Sequence, residues 1–322
     1  MRSKLTSRII LIAVLCVCVT SKELWLKNGY AVNTGPIVFT SFRDGDPEIY
    51  VMDADGGNQE NLTNHPEYDY QPDWSPDGMK IAFVSSRDGA ASQIHVMDAD
   101  GKNVIRLTDG RWQKRDPDWS PDGGRIAFTV DEREDYIAVI DADGRNRKKL
   151  EDWARHPDWS PGGGQIAFVS GRDGGNEIYV IGVDGQGRKR VTHDLAPKRY
   201  PAFSPDGRRI AYEDGRDGLF FDINVVDADG RNLKKLEDKA MYPSWSPDGG
   251  VIAYYVLDGM PGNFRGTIHL MTSDGRHIRQ LSHDRNALDL DPDISPLGLA
   301  VSPASRTSTT WGKLKKVELD RR

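Results

Sequence analysis

Histidines are the first place to look for chemistry in this 322-residue chain, because its two cysteines, Cys16 and Cys18, both lie in an apolar N-terminal run. Beyond that run a thiol nucleophile, a disulfide or a thiolate metal site is excluded. Of the seven histidines, His65, His156, His193 and His283 fall in connections between repeated segments. Imidazoles gathered on one face would hold a divalent metal if they converged. No His-x-His or His-x-x-x-His spacing ties any two together, so scattered surface histidines are the expectation, with no metal and no other cofactor. His95 and His269 stand where other copies of the repeat carry Tyr50 and Tyr179, and are expected to pack. His277 lies beside a tight turn and is expected to be exposed. A Gly-x-Ser-x-Gly nucleophile elbow does not occur, and no catalytic residue is assigned.

Two further polar phrases recur. Asp-Ala-Asp-Gly-x-Asn begins at Asp53, Asp98, Asp141 and Asp227. It opens like a calcium loop but lacks the later oxygen ligands and the closing Glu, so it is expected to be a side-chain-stabilised hairpin turn. Arg-Asp-Gly occurs at Arg43, Arg87, Arg172 and Arg216. A ligand seldom needs the same residue four times around a ring, so a structural arginine is expected, bridging neighbouring units. Near Arg133 the phrase departs and has no glycine.

Binding chemistry is concentrated elsewhere, in the least repetitive segments: 64–71, 109–116, 151–156, 193–200, 237–242 and 283–291. They carry Tyr68, Tyr70, Arg111, Trp112, Arg115, Trp153, Arg155, Arg199, Met241 and Arg285. Aromatics, Met and Arg are the types enriched at binding hot spots, and function gathers on loops held by a rigid scaffold. The residue before each recurring proline is expected nearest a central channel: Gln71, Asp116, His156, Tyr200, Tyr242 and Asp291.

The scaffold is legible as a repeat. One copy reads Pro72-Asp73-Trp74-Ser75-Pro76-Asp77-Gly78, an Ile-Ala-Phe-Val strand from Ile81, the Arg87-Asp88-Gly89 loop, a strand from Ile94 and an Asp100-Gly101 hairpin. The Ser-Pro serines are Ser75, Ser120, Ser160, Ser204, Ser246 and Ser295, spaced 40 to 49 residues apart. Each unit reads as four short strands, with Pro and Gly supplying the turn dihedrals. Continuous apolar runs suit sheets buried on both faces. Four strands in roughly 43 residues, six times over, predict an all-β, six-bladed β-propeller of four-stranded blades. The chain enters at Ile37 without a first strand, and Pro292 to Ser295 supplies one. One blade is therefore closed by strands from both chain ends, which removes exposed sheet edges. Residues 299–302 read as a leftover strand, and Trp311 has no assigned role.

Composition agrees. The chain has 33 Gly and 18 Pro yet keeps 8 Trp, 11 Tyr and 9 Phe, which excludes low complexity. A net charge of −6 argues against nucleic acid or an anionic membrane surface as partner. Arg2, Lys4 and Arg8 precede an apolar run over 9–19, then Thr20 and Ser21. That is the anatomy of a cleaved secretory signal, too short for a comfortable membrane span. The expected organisation is a signal peptide at 1–21, a linker at 22–35, the propeller at 36–303 and a tail at 304–322. The mature protein is expected to be a periplasmic or secreted monomer.

The phrases Trp-Ser-Pro-Asp-Gly at 74–78, 119–123 and 245–249, each followed by Ile-Ala-Phe or Ile-Ala-Tyr, resemble the TolB-type, WD40-like propeller repeat family over residues 36–303. The resemblance implies the fold and an envelope location. Only about 15 residues separate the apolar run from the first strand, so the α/β domain that precedes the propeller in TolB is expected to be absent. The expected function is a non-catalytic, protein-binding module or scaffold of the bacterial cell envelope. One alternative is a metal-dependent saccharide or uronate lyase or a hydrolase-like propeller enzyme, as in some similar propellers, drawing on His65, His156, His193 and His283. Another is a glycan-binding propeller with Trp112 and Trp153 as stacking platforms.

Overall fold

The computed structural model describes residues 34–297, apart from 90, 195, 216–219, 261–262 and 285–286. The N-terminal apolar run, Arg216, Arg285, residues 299–302, Trp311 and the tail lie outside the described residues.

Among the described residues, twenty-four strands form six sheets of four. Blade one holds β1 (Ile37–Ser41), β2 (Glu48–Met52) and β3 (Glu60–Asn61). Blade two holds β4 (Asp69–Trp74), β5 (Lys80–Ser85), β6 (Gln93–Asp98) and β7 (Ile105–Arg106). Blade three holds β8 (Gln113–Trp119), β9 (Arg125–Asp131), β10 (Tyr136–Asp141) and β11 (Lys148–Asp152). Blade four holds β12 (Ala154–Trp159), β13 (Gln165–Ser170), β14 (Glu177–Gly182) and β15 (Lys189–Arg190). Blade five holds β16 (Lys198–Phe203), β17 (Arg209–Asp214), β18 (Asp222–Asp227) and β19 (Lys234–Glu237). Blade six holds β20 (Ala240–Trp245), β21 (Val251–Met260), β22 (Asn263–Thr272) and β23 (His277–Gln280). The last strand, β24 (Asp289–Ile294), pairs antiparallel with β1 and completes blade one. The six-bladed propeller, closed by both ends of the chain, is as the repeat implied.

The second strands share a buried apolar stretch because both their faces are covered. In β5, Ile81, Ala82, Phe83 and Val84 are all fully buried. Burying a side chain the size of Phe83 contributes about 2–3 kcal/mol. The cores lie between blades: Ile126 and Phe128 of blade three pack with Val84 and Ile94 of blade two. The turns at Ser75, Ser120, Ser204 and Ser246 share one chemistry, the serine hydroxyl donating to the Asp two residues on. Ser75 Oγ donates to Asp77 Oδ1 at 2.7 Å and accepts the Lys80 N–H at 2.9 Å. Gly78 then takes a left-handed φ of 62°. The Asp-Ala-Asp-Gly-x-Asn phrase forms a hydrogen-bonded turn, with Asn58 Nδ2 donating to Asp53 Oδ2 at 2.7 Å.

The Arg-Asp-Gly loops corrected one expectation. Arg43 and Arg87 do not bridge blades; they turn into their own, donating to Asp289 at 3.0 Å and Asp69 at 2.6 Å. Arg172 does cross, reaching Glu151 of blade three at 2.5 Å. The loop aspartates are held by strand three: Asp44 accepts from the Tyr50 hydroxyl, Asp173 from Tyr179 at 2.5 Å, and Asp88 sits 2.7 Å from His95 Nε2. His95 is buried, as expected of a packing residue, and His277 is exposed. His269 lies 3.2 Å from His277. In blade six a long hairpin of two ten-residue strands, β21 with β22, stands in place of the loop.

Candidate functional site

The residues before the strand-one prolines belong to the strands, not to the loops before them, because each first strand begins three or four residues earlier than the proline. Tyr70, Arg115, Arg155, Arg199 and Met241 are likewise strand residues. Each first strand carries a β-bulge at this point, where pairing with strand two shifts register. The bulged residue is left-handed every time: Gln71 (φ 52°), Asp116 (54°), His156 (51°), Tyr200 (44°), Tyr242 (55°) and Asp291 (51°). Left-handed backbone costs a non-glycine residue roughly 1–2 kcal/mol. Six such residues in one ring mark a region that the surrounding structure over-determines.

Strand two supplies the support. Thr40 Oγ1 accepts the Gln71 N–H at 3.0 Å and donates to Asp291 Oδ2 at 3.1 Å. Gln71 Nε2 donates to Asp116 Oδ1 at 2.7 Å, and Gln71 Oε1 accepts the Asp116 N–H at 3.2 Å. Thr129 Oγ1 donates to Asp116 Oδ2 at 2.8 Å and accepts the His156 N–H at 3.0 Å. Glu213 accepts the Tyr242 N–H at 2.9 Å. The corresponding positions of blades two, four and six are Val84, Val169 and Tyr255, so acceptors alternate around the ring.

The mouth thus has two halves. From Asp291 to His156 it is a continuous hydrogen-bonded belt. From His156 onward it is aromatic: His156 stacks on Tyr200 with centroids 4.0 Å apart, and Tyr200 lies 4.5 Å from Tyr242. Burial lowers the His156 imidazole to about 4, so the ring in this stack is neutral at pH 7. Burial raises Glu213 to about 8 and Asp291 to about 7, the neighbouring carboxylates adding to the rise.

Below the mouth a cavity of about 190 Å³ runs down the axis, lined by the strand-one prolines and the residues after them. Asp73, Asp118, Asp158 and Asp293 stand there, each accepting the N–H of the next blade's Trp or Phe: Trp119, Trp159, Phe203 and Trp74, at 2.5–2.8 Å. These carboxylates clasp blade to blade. Blades five and six carry Ala202 and Ser244 instead, and Ser244 Oγ donates to Asp293 Oδ1 at 2.9 Å. Burial raises all four acids, Asp118 to about 8 and Asp293 to about 6, and repulsion from the other carboxylates adds to the rise at Asp73, Asp118 and Asp158. The sequence signal of this clasp is the Asp after the strand-one proline, in Pro-Asp-Trp at 72–74, 117–119 and 157–159 and in Pro-Asp-Ile at 292–294.

The remaining expected residues divide. Trp112, under the Arg111 guanidinium at 4.6 Å, and Trp153 are exposed on the connection face. Arg115 pairs with Asp131 at 2.7 Å, and Arg155 lies 3.6 Å from Asp135. Arg199 covers the Phe221 ring at 4.4 Å. Tyr70 packs between blades two and three, its hydroxyl 3.3 Å from Ser92 Oγ, and Met241 is buried. His65, whose ring accepts the Glu67 N–H, His193 and His283 stay on separate crossings. Among the described residues no three His, Cys, Asp or Glu side chains gather as a metal site. No helix among them is long and apolar enough to cross a membrane.

Six four-stranded blades around a narrow channel define a propeller scaffold whose variable features sit at one mouth. The TolB beta propeller domain family matches residues 29–156 and 90–322, and the chain belongs to that family. It is 40% identical over 55 residues to the "Protein TolB homolog" of Chlorobium chlorochromatii and 44% over 48 residues to the "Tol-Pal system protein TolB" of Geobacter sulfurreducens. These matches cover 17% and 15% of this chain but only 12% and 11% of those relatives' own lengths. The crystal structure of TolB from Acinetobacter baumannii superposes with a TM-score of 0.72 at 23% identity, covering 81% of this chain and 66% of that one. At that identity the likeness speaks for the fold.

Proposed function

We propose that the protein is an exported, non-catalytic binding module of the bacterial envelope, periplasmic or secreted, whose partner is a protein engaged at the channel mouth. The observation that carries this reading is the mouth itself. Six left-handed residues hold a polar belt opposite the His156–Tyr200–Tyr242 stack, on a ring too constrained to rearrange. Preorganised aromatic anchors beside fixed polar groups suit capture of a short peptide segment with little ordering cost. Relatives bearing the names TolB and Tol-Pal system protein support an envelope role.

The test is affinity capture from envelope extract with wild type and with Tyr200→Asn plus Tyr242→Asn as baits. Asparagine tolerates the left-handed backbone, so the variant keeps the ring and loses the aromatics. A protein captured by wild type and lost by the variant, whose peptide then binds with the same difference, supports the reading. Equal capture by both moves the site away from the mouth. Capture by neither removes the protein-partner reading.

A further inference from the structure

We propose a second binding site, in the cleft between blades three and four, that takes a neutral pyranose ring of a glycan. This site does not depend on the channel mouth. An open cleft of about 400 Å³ is lined by Glu134, Asp152, Trp153, Gly171 and Arg172. Two features of the chain build it, and both set blade four apart from its neighbours.

The first is Trp153. The connection from β11 to β12 is short and turns through one left-handed residue, Trp153 at φ 57°. The connection from β19 to β20 turns the same way through Lys239 at φ 53°. Gly or Asn meets this backbone at least cost, and a bulky aromatic meets it badly. Burial does not compensate, because the side chain is 50% exposed. An indole held strained and half in solvent is better explained by what it presents than by what it packs.

The second is Arg172. In blades one and two the loop arginine turns inward onto Asp289 and Asp69 at the start of the first strand. Blade four begins instead with Ala154. Without that carboxylate Arg172 extends to Glu151 Oε1 at 2.5 Å and to the Asp152 carbonyl at 3.1 Å. Its guanidinium is thereby set beside Trp153. Gly171, where blades one and two have Phe42 and Ser86, lines the cleft without a side chain of its own.

The chemistry of the cleft selects the ligand. An indole face accepts the C–H face of a pyranose, Glu134 and Asp152 accept hydroxyl donors, and Arg172 donates. Charge is largely balanced: Glu151 is shared by Arg172 and Arg188, and Asp152 pairs with Lys149. A site with donors, acceptors and an aromatic floor but little net field favours a neutral polyhydroxylated ligand over an ion.

The experiment is calorimetric and saturation-transfer titration of the full chain with cellotriose and chitotriose, and with trigalacturonate and triglucosamine as acidic and cationic comparators. Wild type is expected to bind a neutral trisaccharide at a Kd below about 10 mM. Trp153→Gly is expected to weaken binding at least tenfold while its Tm is unchanged or higher, and Trp153→Asn to behave alike. Four results overturn the site: no saturable neutral binding, equal affinity in the variants, binding of charged sugars only, or a lowered Tm in both variants, which would make the indole a packing residue.

Discussion

Blades two and four have nearly the same middle strands, KIAFVS in β5 and QIAFVS in β13, and the same Arg-Asp-Gly loop. Even the loop backbones agree: the N–H groups of Arg87 and Arg172 donate to the hydroxyls of Ser85 and Ser170, two residues back, each at 3.3 Å. Yet one arginine closes its own blade and the other crosses back to the blade before it. The difference lies about 18 residues upstream, in Asp69 against Ala154. Local sequence sets where the loop goes, while the residue across the sheet sets where the charge goes.

The largest expected effect breaks blade two. Asp69 is fully buried, and the Arg87 side chain is only 16% exposed. Asp69→Ala leaves that guanidinium without its carboxylate, which should cost about 3 kcal/mol. Denaturant unfolding measures it, and a loss near zero would mean that Arg87 can adopt the outward pose of Arg172 freely.

What the two blades share gives the next effect. Asp73 and Asp158 belong to the channel clasp with Asp118 and Asp293, and all four titrate above the ordinary carboxylate range because they are buried. A carboxyl with a raised folded pKa contributes stability below its unfolded value near 4. That contribution is lost as pH rises through the folded values, about 6 for Asp293 and about 8 for Asp118. His156, lowered to about 4, works in the opposite sense between pH 6.5 and 4. Tm should therefore fall from pH 6.5 to pH 8.5. Asp118→Asn, which keeps an acceptor for the Trp159 N–H, should flatten the fall. An unchanged slope would remove Asp118 from the linkage.

The fold was legible because the repeat puts turn residues and buried strands on a fixed period: six Ser-Pro starts and six Asp-Gly hairpins give the blades directly. The ring of the mouth was legible too, since the residue before a recurring proline has one place to go. The left-handed backbone of those residues was not, because nothing in Gln71 or Tyr200 advertises it. It emerges from the bulge and from acceptors such as Thr40 and Thr129 on another strand. The path of Arg172 was hidden for the same reason. An Arg-Asp-Gly phrase is identical wherever it occurs, and only the pairing of strand one with strand two brings Asp69 or Ala154 beside it.

A smaller effect isolates the strain at Trp153. Glycine relieves roughly 1–2 kcal/mol of left-handed backbone cost and returns about 0.5–1 kcal/mol in unfolded-state entropy. Trp153→Gly should therefore stabilise the fold by about 0.5 kcal/mol. Lys239→Gly at the equivalent turn should do less, because the Lys239 N–H already donates to Asp222 Oδ1 at 3.1 Å and orders the turn. Thermal unfolding of the two variants side by side compares them directly.

The smallest effect sharpens the comparison most. Arg172→Ala removes a pair that is partly exposed and leaves Glu151 with Arg188 at 2.7 Å, so its cost should be about 0.5 kcal/mol or less. Placing Asp at 154 recreates blade two within blade four, since Ala154 faces Ser170 as Asp69 faces Ser85. In the Ala154→Asp background the same Arg172→Ala change should cost several-fold more, approaching the loss expected for Asp69→Ala, because Arg172 would now neutralise a buried carboxylate. The double-mutant cycle reads that coupling without reference to any ligand. Additive energies would show that something besides the strand-one residue directs the arginine, and strong coupling would show that one carboxylate decides between closing a blade and furnishing a cleft.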